Sequence, residues 1–170
     1  MIQFSTHSGI HTLFVRQKLP IDLETAWDFF SSPANLARIT PEHMGFRITS
    51  EPGPDKMFSG QIITYKVSPF QGISSNWVTE ITHIEDKKYF IDEQRFGPYS
   101  MWHHEHWFES IPGGIEMTDR ISYKLPLGFI GRLGEKWVVR KQLKKIFSFR
   151  HQKLITFFGS YFDSQSEEDQ

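Results

Sequence analysis

The sequence predicts an α+β fold of about seven antiparallel strands, two short helices after the first strand and a long C-terminal helix. Three observations carry this expectation. Segment 46–125 breaks at short intervals on turn residues, and the runs between are rich in β-branched and aromatic side chains, as half-buried strands are. Before it, Pro33 and Pro41 punctuate two short stretches with helical character. After Pro126 the apolar period changes to that of a helix.

His11 to Leu19 alternates Leu13, Val15, Gln17 and Leu19 against Phe14, Arg16 and Lys18, the period of a strand with one buried face. Asp22 is placed to cap a helix, because its carboxylate can accept from the free N–H groups of a first turn. Leu23, Ala26, Trp27 and Phe30 follow at helical spacing, and Pro33 ends that helix. A second short helix spans Ala34 to Ile39. Strands are expected over Gly60 to Ser68, Ile73 to Ile84, Tyr89 to Phe96, Met101 to Ser110 and Ile115 to Tyr123. Val139, Leu143, Ile146, Phe147, Leu154 and Phe157 then mark the apolar stripe of the last helix.

The 170 residues fit one domain over 1–170, with a core at about 11–159 and loose ends at 1–9 and 163–170, which are short and polar or acidic. Hydrophobic residues make up only 38%, but sixteen phenylalanines raise the aromatic share to 15%, enough to fill a core or line a cavity. A net charge of −1 argues against a nucleic-acid partner. The absence of cysteine removes disulfides, thiolate metal sites and a cysteine nucleophile, and suits a reducing compartment. The N-terminus has no signal-like pattern and no apolar run is long enough for a bilayer, so a cytoplasmic location is expected.

Turn lengths predict the faces. With Ile111 to Gly114 as a hairpin loop, Ser110 faces Ile115, Phe108 faces Met117, His106 faces Asp119, His104 faces Ile121 and Trp102 faces Tyr123. The reverse side then carries Glu105 opposite Arg120 and Trp107 opposite Thr118, a pairing suited to solvent. With Glu85 to Lys88 as a loop, Trp77, Thr79, Ile81 and His83 share a face with Phe96, Gln94, Asp92 and Phe90.

Several of these segments together resemble a known family. They are Pro20-Ile21-Asp22 leading into Ala26-Trp27-Asp28-Phe29-Phe30, Pro33-Ala34-Asn35-Leu36 with Thr40-Pro41, and Asp92-Glu93-Gln94 with Gly97-Pro98-Tyr99. Trp102, His104, His106 and Phe108 at alternate positions follow, then Asp119, Tyr123, Pro126-Leu127-Gly128 and the run Phe147 to His151. The chain is similar to the START-like or SRPBCC superfamily, which includes polyketide cyclases and carriers of the birch-pollen-allergen type, and to a bacterial ligand-binding branch of it. The likeness spans roughly His11 to Gly159. It implies a helix-grip fold, in which a curved sheet wraps the C-terminal helix and leaves a ligand cavity between them. Transport, sensing, cyclisation and hydrolysis all occur on this fold, so the resemblance does not select among them.

Three constellations carry chemistry. His104 and His106 point to one side of a strand and, with Asp119, offer ligands of the kind zinc takes; the spacing from Gly97 to Glu109 misses the cupin metal motif, and a hydrogen-bonded polar patch is the expectation, with no metal or other cofactor. His106 opposite Asp119 is the candidate acid/base pair of a cyclase, dehydratase or hydrolase-like enzyme. Arg150 falls in the apolar stripe and needs Asp119, Asp92 or an anionic ligand as partner.

The helix from Arg132 to Lys153 is otherwise basic, with Arg132, Lys136, Arg140, Lys141, Lys144 and Lys145 against Glu135. A membrane-surface or lipid-shuttling role is therefore a further alternative to a solvated outer face. The leading expectation is a domain that binds a small, apolar or amphipathic ligand. Trp77, Phe90, Trp102, Phe108 and Tyr123 would form the walls, and His104, His106, Asp119 and Arg150 the polar end.

Overall fold

A computed structural model describes residues 1–51, 53–70, 73–126 and 138–162. The order is β1 (Ile2–His7), β2 (Ile10–Leu19), α1 (Leu23–Phe30), α2 (Pro33–Leu36), β3 (Arg47–Ile48), β4 (Ile62–Phe70), β5 (Ile73–Glu85), β6 (Tyr89–Phe96), β7 (Met101–Ile111), β8 (Gly114–Lys124) and α3 (Arg140–Phe158), with two 3-10 turns, Ala37–Ile39 and Glu42–Met44, after α2. The strands form one antiparallel sheet in the order β1-β2-β8-β7-β6-β5-β4-β3. This is the α+β helix-grip architecture, with one strand more than expected.

The extra strand corrects the reading of Met1 to Gly9 as loose. Ser8 and Gly9, with φ of 50° and 78°, form a two-residue turn whose left-handed backbone matches the twist of a hairpin, and Ile2 through His7 pair with Val15 through Ile10. Arg140 of α3 lies over the Phe4 ring at 5.0 Å and ties the strand down. The short helices consequently follow the second strand. Asp22 caps α1, its Oδ1 accepting from the Thr25 N–H at 2.7 Å, and Pro33 starts α2 where no backbone donor is needed.

Pro112 and Gly113, the latter with φ of 76°, turn β7 into β8. Every pair expected across this hairpin is present, including Trp102 with Tyr123, His104 with Ile121, His106 with Asp119 and Glu105 with Arg120. Between β5 and β6 the expectation holds only for Thr79 opposite Gln94 and Ile81 opposite Asp92. The turn is one residue shorter, Asp86 to Lys88 with Lys87 at φ 60°, and the register shifts on either side of Thr79–Ile81. His83 therefore opposes Ile91 and is exposed, while Ile84 faces Phe90; Phe96 opposes Val78 and is likewise exposed. Each shift turns the following side chains to the other face.

α3 lays Leu143, Phe147, Arg150 and Leu154 on the sheet. Phe157, expected in that stripe, is part-exposed and covered by the Arg38 guanidinium at 4.8 Å. Two apolar clusters result. One gathers Leu13, Trp77, Tyr99, Ile121, Tyr123, Leu143 and Phe147; the other gathers Trp27, Phe30, Phe90, Phe108, Met117 and Leu154. The positions between them on β6, β7, β8 and α3 are Asp92, His104 and His106, Asp119 and Arg150. The tail 163–170, the residues Leu127 and Gly128, and Arg132, Glu135 and Lys136 lie outside the described residues.

Candidate functional site

Between the sheet, α3 and the segment from α1 to β3 lies a cavity of about 170 Å³, many times the roughly 10–15 Å³ that one water needs on the same measure. Its walls include Trp77, Phe90, Tyr99 and Trp102, and Asp92, His104, His106 and Arg150 also face it. The aromatic wall is mutually braced: Trp102 meets Trp77 edge-on at 5.2 Å and Tyr99 at 4.8 Å. Tyr99 is placed by Gln94, whose side-chain amide donates to the Tyr99 carbonyl and accepts from its N–H. Gly97 leaves room for this, since a Cβ there would fall 2.5 Å from Gln94 Oε1.

Two residues expected on the wall, Phe108 and Tyr123, and one expected at the polar end, Asp119, do not line the cavity. Phe108 belongs to the cluster beneath α1, with Trp27 edge-on at 5.7 Å. Tyr123 is fully buried against His11 and Tyr99. Asp119 lies behind the histidines rather than on the cavity surface. A cross-strand position sets which face a side chain takes, but the depth at which an inner face meets α1 or the cavity depends on the packing above it.

The polar end is a closed cycle. Asp119 Oδ1 stands 2.9 Å from His104 Nε2 and 3.0 Å from His106 Nδ1. On the other side Asp92 Oδ2 stands 2.8 Å from His106 Nε2 and 3.4 Å from His104 Nδ1. The two imidazoles lie 3.7 Å apart, and Phe90 stacks on His106 at 4.1 Å. Arg150 Nη1 is 3.6 Å from Asp119 Oδ1, which provides the internal partner its burial demands. Its Nε–H, like the Trp77 indole N–H, is buried without a hydrogen-bond partner among the described residues. Asp92 is what the pairing of His106 with Asp119 left out: it contacts both rings from the cavity side. Its signal was the β5–β6 register, which already put it on the inner face opposite Ile81.

Burial disfavours charge on all four groups, and their mutual contacts decide the outcome. Burial would raise both carboxyls, yet the histidines and Arg150 hold Asp119 far below the ordinary carboxylate range and Asp92 below it. Burial would lower His106, but its bonds to Asp119 and Asp92 outweigh this and raise it. His104 is lowered by burial and by the neighbouring charge of His106. Asp92, His104 and His106 each offer a ligand atom, all within 4.8 Å of one another, and all three face the cavity.

The lysines of α3 tell less. Lys141, Lys144 and Lys145 are exposed, on the side of the helix turned away from the buried Leu143 and Phe147. No described helix is long and apolar enough to cross a membrane.

No family model matches the chain, and no curated protein matches it. Solved structures do. Protein CV1439 from Chromobacterium violaceum is similar with a TM-score of 0.67 and 10% identity, over 88% of this chain and 99% of that one. Protein Ms6760 from Mycobacterium smegmatis gives a TM-score of 0.64 and 12% identity over 92% and 98%. Major latex-like protein 151 from Panax ginseng, a protein of the birch-pollen-allergen kind, gives 0.62 and 11% over 89% and 99%. With near-complete coverage at such low identity it is the fold that is shared, and this chain has a START-like helix-grip fold.

Proposed function

We propose that the protein binds a small, largely apolar ligand in the cavity between sheet and α3, with a hydrogen-bonding end of that ligand directed at Asp92, His104, His106 and Arg150. The observation that carries this reading is the cavity itself, aromatic on its walls and polar at one buried end. The orphaned N–H groups of Trp77 and Arg150 add a chemical preference, because a buried donor without an acceptor is costly. A ligand oxygen, as in a carbonyl, carboxylate or phenol, supplies that acceptor.

Native mass spectrometry of protein purified from its own host tests the reading, since a retained ligand is weighed directly. Trp77 and Trp102 on the wall provide a second signal, because an apolar molecule entering the cavity changes their fluorescence. A protein that carries no bound mass, and whose fluorescence is unmoved by a panel of aromatic and fatty acids, is not such a carrier. Conversion of the retained molecule on incubation would make it the substrate of an enzyme, with the histidines as its acid and base.

A further inference from the structure

The ring nitrogens at the polar end are arranged in two tiers. His104 Nε2 and His106 Nδ1 converge from the rear on one oxygen of Asp119. His104 Nδ1 and His106 Nε2 converge at the front on one oxygen of Asp92. A neutral imidazole has one N–H. When each ring donates it to Asp119, both front nitrogens turn lone pairs toward a carboxylate oxygen, at 3.4 and 2.8 Å. A position surrounded by three lone pairs and largely shielded from bulk solvent calls for positive charge. One proton can bridge only one of these contacts; a metal ion answers all of them.

We propose that Asp92, His104 and His106 bind one divalent transition-metal ion, with Asp119 orienting both imidazoles from behind and an open coordination position toward the cavity. The dimensions suit it. Ligands at about 2.0–2.1 Å from a tetrahedral ion lie about 3.3 Å from one another; Asp92 Oδ2 stands 3.4 and 2.8 Å from the two front nitrogens, and one ligand atom from each of the three residues lies within 4.8 Å of the others. The carboxylate behind the rings is the usual companion of metal-bound histidine, since it sets the tautomer and raises basicity. Two nitrogens and one oxygen favour zinc, iron(II) or cobalt(II) over magnesium or calcium. The sequence led to the expectation of a polar patch without metal and offered Asp119 as the third ligand of the alternative; here Asp119 is the orienting group and Asp92 the ligand. The site does not depend on the identity of any organic ligand.

Protein stripped with a chelator, exposed to zinc, desalted and analysed for metal is expected to keep about one equivalent. Cobalt(II) in its place should give the visible bands of a nitrogen- and oxygen-bound ion. His104→Gln and the nearly isosteric Asp92→Asn should each weaken zinc by about 100-fold or more; the second variant serves if the first does not fold. His103→Ala is the control, because His103, Glu93 and Glu105 form a half-buried cluster on the other face of the sheet, the place where zinc would bind adventitiously. Retention of less than about half an equivalent by the wild type, undiminished binding in both site variants, or loss of binding in His103→Ala would each overturn the assignment. No organic molecule enters the assay, so its failure would leave the ligand reading standing.

Discussion

His103 and His104 are neighbours in sequence on the two faces of the β7–β8 hairpin, and their surroundings have almost nothing in common. On the outer face His103 meets Glu93, Glu105 pairs loosely with Arg120 at 3.8 Å, and Trp107 is 42% exposed with its indole on Glu105. On the inner face His104, His106 and Asp119 are 5%, 7% and 4% exposed and contact one another within about the length of a hydrogen bond. The residue types are similar on both sides. Water screens the outer contacts, whereas the inner groups have exchanged water for each other, so each inner contact carries more energy and each missing partner costs more.

The largest effect should come from breaking the inner cycle. Asp119→Ala leaves Arg150 and both imidazoles without their common acceptor and is expected to cost roughly 3–5 kcal/mol in denaturant unfolding, as removal of one member of a buried ion pair does. A loss below about 1 kcal/mol would mean that the inner face behaves like the outer one. Phe108→Ala, one layer along the same face, should cost about 3 kcal/mol by opening a void under Trp27 and Phe30, with little effect on ligand binding because Phe108 is not on the cavity wall.

Acid should reach the inner face in a definite order. Asp119 and Asp92 are depressed in the folded protein, so their stabilisation is complete above about pH 4, the unfolded value, and is lost as pH falls through the folded values. His106 is raised, so its contribution is complete below about pH 6.5 and lost as pH rises through its folded value; His104 is lowered and opposes it, costing stability as pH falls from about 6.5. In metal-free protein at pH near 6.5, nitrogen-15 spectra of the imidazoles should show His106 mostly protonated and His104 mostly neutral. Equal protonation of the two rings would break the asymmetry. The acid limb of stability should be shallower in Asp119→Asn than in the wild type.

The smallest effect belongs to the outer face. A double-mutant cycle on Glu105 and Arg120 should give a coupling of less than about 1 kcal/mol, weaker in salt. Once a ligand is in hand, Asp119→Asn should weaken it more than Glu105→Gln in calorimetric titration, because only the first variant unseats the rings that face the cavity. Equal affinities would place the binding site elsewhere.

Local chemistry wrote much of this into the chain. Alternation along β2, Asp22 before α1, proline at the start of α2 and the Pro112-Gly113 turn each act within a few residues, so they can be read without knowing the rest of the molecule. The same turn determined the full register of β7 with β8, and with it the separation of His104 and His106 from Glu105 and Trp107. β1 was obscured because its polar composition hides a tight Ser8-Gly9 turn, and its stability rests on β2 and on Arg140, which is remote in sequence. The bulges between β5 and β6, at Thr82 on one strand and Arg95 on the other, were equally hidden, since two residues opposite one is a compromise between strands and leaves no composition of its own.

The candidate site divides in the same way. Sequence alone placed two histidines and an aspartate on one face of a hairpin and an arginine in an apolar stripe, because strand and helix periodicities are local. That Asp92 closes the cycle from the cavity side, that Asp119 stands behind, and that Phe108 and Tyr123 pack away from the cavity were decided only when β6, α1 and α3 came together over that face. Depth below a surface belongs to no single element, and the electrostatics of a buried carboxylate follow from depth.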